Sequence, residues 1–332
     1  MRNKIAIASL LSLVLCASVA QGQSSHAFLW TATGGMQDLG TLGGNFSEAE
    51  AINSSGAVVG YSYLSDNTTY HAFLWTATGG MQDLGAPTGT SSFATAINDR
   101  GQIVGYSQSA PINPVFRALL WSSGGMRDLG TLGGKGSDAE DINDYGVVVG
   151  SAQVKGGAYH PMMWTASGGM QDLGSLGSRS GGGAAFGING SGEIVGVSGI
   201  FNHPDEPYSW TSTGGMKDLL PHHIYVDGSA QAVNRLGNIA GWVNTATNSY
   251  PALWTAGGLK VLSTLGGPNA IAIAINGKNQ MVGYSGTTGG ANHAFFWDQT
   301  AGMTDLGTLG GTNSEAFGVN SAGQIVGYSD LP

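Results

Sequence analysis

The chain has 332 residues and a formal net charge of −9, from 12 Lys and Arg against 21 Asp and Glu. So few basic residues exclude the positive stripe that a nucleic-acid backbone requires, and nothing basic and amphipathic points to a membrane surface. One cysteine, Cys16, leaves no disulfide to form, and the 57 glycines recur at fixed positions instead of scattering as they would in a linker.

In chain order the first element is an export signal. Arg2 and Lys4 give a positive start, Ile5 to Leu15 an apolar stretch, and Ser18-Val19-Ala20 a small-residue cleavage site. The apolar stretch is too short and wrongly flanked for a membrane span. Leu15 stands where lipid modification of Cys16 would want a small residue. Residues 1–20 are therefore assigned to the signal and 21–332 to one repeat domain, secreted or periplasmic, with no membrane span in the mature chain. Removing the signal takes the only thiol with it, so stability must come from burial and backbone pairing.

The domain is one module written seven times. Trp30, Trp75, Trp121, Trp164, Trp210, Trp254 and Trp297 stand 45, 46, 43, 46, 44 and 43 residues apart. A period near 45 is that of one four-stranded propeller blade. Each copy opens with a run such as His-Ala-Phe-Leu-Trp (26–30), turns at Gly-Gly, and continues with a short run such as Met36 to Gly40. The third run carries an alanine four residues before a closing asparagine in every copy, from Ala49 with Asn53 to Ala316 with Asn320. The residue two before that asparagine is small in six copies, Asp141 being the exception, which suits a crowded strand near a propeller axis. Glycine follows the asparagine by three residues in six copies and Asn279 replaces it in the other, which predicts a left-handed position in an Asx-stabilised hairpin. The fourth run reads Ile-Val-Gly-Tyr-Ser or close to it, as at 103–107.

Strand-length runs and regular turns leave little room for helix, and seven copies without obvious caps favour a closed ring over a solenoid. The expected fold is an all-β, seven-bladed β-propeller of four-stranded antiparallel blades. If the alanine strand is innermost, the chain begins with two outer strands (26–40) and ends with two inner ones (314–329), so that the termini complete one blade together. The Gly-Gly and Asn turns then share one face. The variable connections, such as 63–70, 108–116 and 199–205, share the other, where a ligand is expected.

His-Ala-Phe-Leu-Trp, Gly-Gly-Met-x-Asp-Leu-Gly-Thr-Leu-Gly-Gly and Ala-x-x-Ile-Asn-x-x-Gly-x-Val-Val-Gly-Tyr-Ser together resemble the HAF family of bacterial extracellular repeats. The resemblance covers essentially all of residues 21–332. It implies export and a repeat-built extracellular protein, and it brings no established activity. Many members carry a C-terminal sorting anchor. Here the sequence ends at Asp330-Leu331-Pro332, so a released or periplasmic product is expected.

Repeated residues are poor active-site candidates. His26, His71, His160 and His293 read as strand-edge packing, and Asp38, Asp83, Asp128, Asp172, Asp218 and Asp305 as turn or edge residues. Departures from the module say more. Pro221–Asp227 replaces Thr-Leu-Gly-Gly and brings His222, His223, Tyr225 and Asp227, while the preceding connection brings His203, Asp205 and Glu206. Histidine with carboxylate can bind a metal, with His203, His222 and Asp227 as ligands, or do acid–base chemistry; the bland alternative is a drifted, solvated loop. On an extended strand His222 and His223 would point to opposite faces, so at most one would ligate. A second departure is the acidic set Glu48, Glu50, Asp138, Glu140, Asp141 and Glu315 beside the recurring alanine, which would line a central channel and invite a cation or raised pKa values, or simply form a hydrated wall.

No Gly-x-Ser-x-Gly elbow, phosphate loop, His-Glu-x-x-His or calcium loop is present, and no cofactor is identified. The expected role is binding or scaffolding, with glycan or another surface polymer as partner. Tyr61, Tyr106, Tyr284, Tyr328 and Trp242 share one module position and are its candidate contacts, against a plain role in blade packing. The alternative is a polysaccharide hydrolase or lyase working from the loop face, with catalytic candidates among His203, Asp205, His222, His223, Tyr225 and Asp227.

Overall fold

The computed structural model describes residues 24–87, 90–109, 114–176, 182–199, 205–220 and 224–332. Among them are 28 strands and no helix. The strands pair antiparallel in groups of four. The first complete blade is β3 (Gly43–Ile52), β4 (Val58–Leu64), β5 (Tyr70–Thr76) and β6 (Gly80–Asp83), ordered from the axis outward. Five more blades repeat this order, with innermost strands β7 (Ser91–Ile97), β11 (Gly133–Ile142), β15 (Gly183–Ile188), β19 (Asp227–Val233) and β23 (Gly266–Ile275).

The seventh blade is built from both ends of the chain, as the innermost position of the alanine strand requires. Its inner strands are β27 (Ser314–Val319) and β28 (Ile325–Asp330), its outer ones β1 (Ser25–Thr31) and β2 (Gly35–Asp38). The seam is β28 on β1, in register from Trp30↔Ile325 to Ser25↔Asp330. The Ser25 hydroxyl donates to Asp330 Oδ1 (2.8 Å), and Leu331 N donates to Ser24 O (2.9 Å). This pairing removes the open sheet edges that a chain of modules would otherwise leave.

The repeated tryptophans fill the space between blades. Trp75 packs with Ala49, Val58 and Phe73 of its own blade and with Ala27 and Leu29 of the neighbouring one. The small residue two before each asparagine sits where adjacent inner strands meet, so that a Cβ on Gly318 would lie 3.2 Å from Ala51 Cα. Asp141, the exception, accepts hydrogen bonds from Ile142 N (2.8 Å) and, across the blade boundary, from Ile188 N (2.9 Å).

A second closure runs around the axis. Each of the seven asparagines accepts backbone N–H groups of its own turn on Oδ1, as Asn320 does from Ala322 N and Gln324 N, which is the expected Asx turn. Asn279 has φ 62°, the left-handed conformation expected of the residue replacing glycine. Each Nδ2 then donates to the backbone carbonyl of the next asparagine: Asn53 to Asn98, Asn98 to Asn143, and so on to Asn276 with Asn320 and Asn320 back to Asn53 (3.0–3.3 Å). The last bond spans 267 residues of sequence, so the circle is complete. Asn320→Ala removes the ring donor and the Oδ1 that accepts two turn N–H groups, at a buried position. At about 0.5–1.5 kcal/mol for each bond, urea unfolding should show a loss of about 2–4 kcal/mol.

Serines add a latch that escaped sequence reading. Ser47, two residues before Ala49 on β3, accepts from Ala27 N of the neighbouring blade (2.8 Å) and donates to Gly40 O (2.6 Å). Ser92, Ser137 and Ser314 repeat this geometry. Their recurrence at one module position was the available signal.

Candidate functional site: the axial cavity

Every innermost strand carries one extra residue. Its register slips between Ala49 and Ala51, Ala94 and Ala96, Ala139 and Asp141, Ala185 and Gly187, Ala230 and Ala232, Ala272 and Ala274, and Ala316 and Gly318. The unpaired residues of these seven bulges are Glu50, Thr95, Glu140, Phe186, Gln231, Ile273 and Phe317. A bulge re-aims the side chain it adds, and all seven line one central cavity of about 540 Å³. The glycine of each fourth run makes room for the bulge. A Cβ on Gly60 would overlap Glu48 O, and the same holds for Gly105, Gly150, Gly196, Gly241, Gly283 and Gly327 against their own inner strands.

The lining is asymmetric although the scaffold repeats. Five carboxylic acids face the cavity: Glu50, Glu140, Asp141, Asp227 and Glu315. Six aromatic residues complete its walls: Phe93, Tyr106, Phe186, Trp242, Tyr284 and Phe317. No Lys, Arg or His is among the described residues that line it.

Burial dominates the chemistry of these acids. It pushes Glu50 up to about 7, partly offset by a hydrogen bond with Glu48. Asp141 rises to about 6 through burial, against the two N–H groups it accepts. Glu140 is held well above the usual carboxylate range, first by burial and then by the charges of Asp138 and Glu50. It shares a hydrogen bond with Asp138, which is itself raised to about 6 by burial despite accepting Ser151 N (3.0 Å) and Ser151 Oγ (2.8 Å). Glu140 thus keeps the proton and Asp138 takes the charge first. Glu315 rises to about 8 by burial, opposed by a hydrogen bond with Tyr328.

Three polar atoms at the cavity are buried with no hydrogen-bond partner: Glu315 Oε1, Asp227 Oδ1 and Trp242 Nε1. Glu315 is only 1% exposed. Leaving such groups unsatisfied costs on the order of 1–3 kcal/mol each, so they are poised for a ligand.

The acidic set expected at the channel is therefore brought together, with Glu50, Glu140, Asp141 and Glu315 at the cavity and Glu48 and Asp138 buried behind it. Of the loop candidates, His203, His222 and His223 lie outside the described residues, and the side chain of Asp205 is likewise not described. Tyr225 packs on the cluster around Leu220 and Trp254. Among the described side chains of that loop set, Asp227 lines the cavity, its carboxyl raised by burial and lowered by a hydrogen bond with Asn244. Among the described residues no group of three or more His, Cys, Asp or Glu side chains could hold a metal ion.

The repeated His and Asp residues have a shared role that separate readings of each missed. His26 Nδ1 meets Asp38 at 2.8 Å, and His71 with Asp83, His160 with Asp172 and His293 with Asp305 repeat the pair. In one blade Arg117 takes the histidine's place against Asp128 (2.9 Å). Each aspartate also accepts a turn N–H, as Asp38 does from Gly40 (2.7 Å), in keeping with a turn function. The five residues at the shared Tyr/Trp position divide. Tyr61 and Tyr328 pack against Phe93, Phe46 and Phe317, whereas Tyr106, Trp242 and Tyr284 line the cavity.

The architecture and its asymmetric axis define the class: a seven-bladed β-propeller with a polar-aromatic cavity on its axis. No family model matches the sequence, and no curated protein matches it as a relative. Among solved structures the chain is similar to TolB from Agrobacterium tumefaciens, at 12% identity and a TM-score of 0.54, covering 93% of this chain and 99% of that one. It is also similar to a puromycin hydrolase (14% identity, TM-score 0.57, 79% of this chain and 45% of that) and to the acylaminoacyl peptidase of Pyrococcus horikoshii (13%, 0.53, 78% and 45%). The chain spans less than half the length of those two enzymes. At such identities the likeness is one of fold, and the fold is shared by proteins of many functions.

Proposed function

We propose that this protein is an exported binding propeller that receives part of a glycan or other surface polymer in its axial cavity. The observation that carries the reading is the contrast between scaffold and lining. Ser, Ala, Asn and Gly positions repeat around the ring, while the bulge residues Glu50, Thr95, Glu140, Phe186, Gln231, Ile273 and Phe317 line one axial cavity. A purely structural ring needs no such asymmetry. Carboxylates that accept hydrogen bonds from hydroxyl groups, beside aromatic side chains, suit a sugar ring with apolar faces and a polar edge. Export rests on the charge and hydropathy pattern of residues 1–20, and the repeat motifs support the same compartment through their resemblance to HAF-type proteins.

Filling the cavity tests the reading. Ile273 lines it and lies on a bulge, so Ile273→Trp should plug the space with little change in unfolding midpoint. On a glycan array the wild-type protein should give saturable binding that Ile273→Trp weakens at least tenfold, roughly 1.4 kcal/mol. Binding that the plug leaves untouched would move the ligand off the axis.

A further inference from the structure

Resting on that reading, we infer that the group recognised in the axial cavity is an organic ammonium, held by the carboxylates of Glu50, Asp141 and Glu315 against aromatic walls. Four observations converge. The described lining contains five carboxylic acids and no cationic side chain, so any charge the site compensates is positive. Glu315 Oε1, buried and without a donor, is an acceptor waiting for an N–H or O–H. Phe186, Trp242 and Phe317 line the same cavity, and aromatic rings of this kind attract alkylammonium groups. The acids nevertheless do not form a metal cluster, because no three of the described ones converge as an oxygen cage for a small divalent ion must. A charge spread over a larger body, able to touch separated carboxylates, meets the geometry that a compact ion does not.

The same ammonium chemistry is found on an amino sugar and on a polyamine, and the experiment separates them. The full chain is titrated calorimetrically at pH 8 with glucosamine, N-acetylglucosamine, spermidine and CaCl₂. Saturable one-to-one binding of glucosamine or spermidine is expected, with N-acetylglucosamine at least tenfold weaker than glucosamine because acetylation removes the charge. Glucosamine as the tighter ligand assigns the site to an amine-bearing glycan, and spermidine as the tighter to a free polyamine. Glu50→Gln and Glu315→Gln keep the side-chain shape and should each weaken the amine at least fivefold. Trp242→Leu should weaken it as well, while the thermal midpoint of each variant reports that the ring remains folded. If N-acetylglucosamine or calcium binds as tightly as the amines, or if both Gln variants bind as wild type does, the ammonium assignment is wrong. Loss of that binding in Ile273→Trp would still leave the axial cavity as the site. Amine binding unchanged in Ile273→Trp would overturn both readings.

Discussion

Gly60→Ala is expected to lower stability by more than about 4 kcal/mol, enough to leave little folded protein at 37 °C. A Cβ at this position would overlap Glu48 O and stand 2.9 Å from Ala49 Cα, both backbone atoms of the bulged inner strand. Backbone cannot swing aside as a side chain does, so the ladder between β3 and β4 must open or the bulge must flatten. Flattening would withdraw Glu50 from the cavity. Gly80→Ala is the matched control. Gly80 opens β6, has φ 63° and has nothing within 4 Å of its missing Cβ. Only the left-handed conformation resists there, at about 1–2 kcal/mol. Urea unfolding of both variants checks the contrast, and equal small losses would mean that the bulge does not need the glycine.

The second large effect is a fall in stability as pH rises. Glu50, Asp138, Asp141 and Glu315 stand near 7, 6, 6 and 8 in the folded protein, against ordinary values of 4.5 for Glu and 3.8 for Asp. The folded state therefore binds more protons than the unfolded chain across that interval. Stability from these groups is complete below about pH 4 and drains away as pH climbs through 6 to 8. Each proton retained over one pH unit is worth about 1.4 kcal/mol, and discounting for mutual coupling still leaves several kcal/mol. Thermal unfolding at pH 5 and pH 8.5 should differ by on the order of 10 °C, with the acidic sample the more stable. Glu50→Gln with Glu140→Gln should flatten the profile and raise the midpoint at pH 8.5. A midpoint that rises with pH would show that the axial acids are solvated and not buried as described.

Much of this protein was readable before its structure. The tryptophan period, the Ala-x-x-x-Asn spacing and the glycine three residues beyond dictate strand number, turn type and blade count, because each is a local requirement of backbone conformation or strand length. Placing the alanine strand innermost followed from its small side chains, and the closure by both termini followed from that placement. The acidic residues beside the alanine could be listed for the same reason. Their consequences could not. Whether Glu50 faces the axis depends on a bulge set by how β3 meets β4. That Glu140 shares a proton with Asp138 depends on the same kind of slip one blade pair further round. The loop set around His203 and Asp227 drew attention because it broke the repeat, yet breaking a pattern carries no direction, and Asp227 reaches the cavity only because β19 begins there. Local sequence thus determined the module, its turns and its copy number. Tertiary structure decided the rest: the glycine-for-bulge exchange depends on how two neighbouring strands of one blade meet, and the asparagine circle and the gathering of seven bulge side chains at one acid-rich cavity depend on residues about 45 positions or more apart meeting at a common axis.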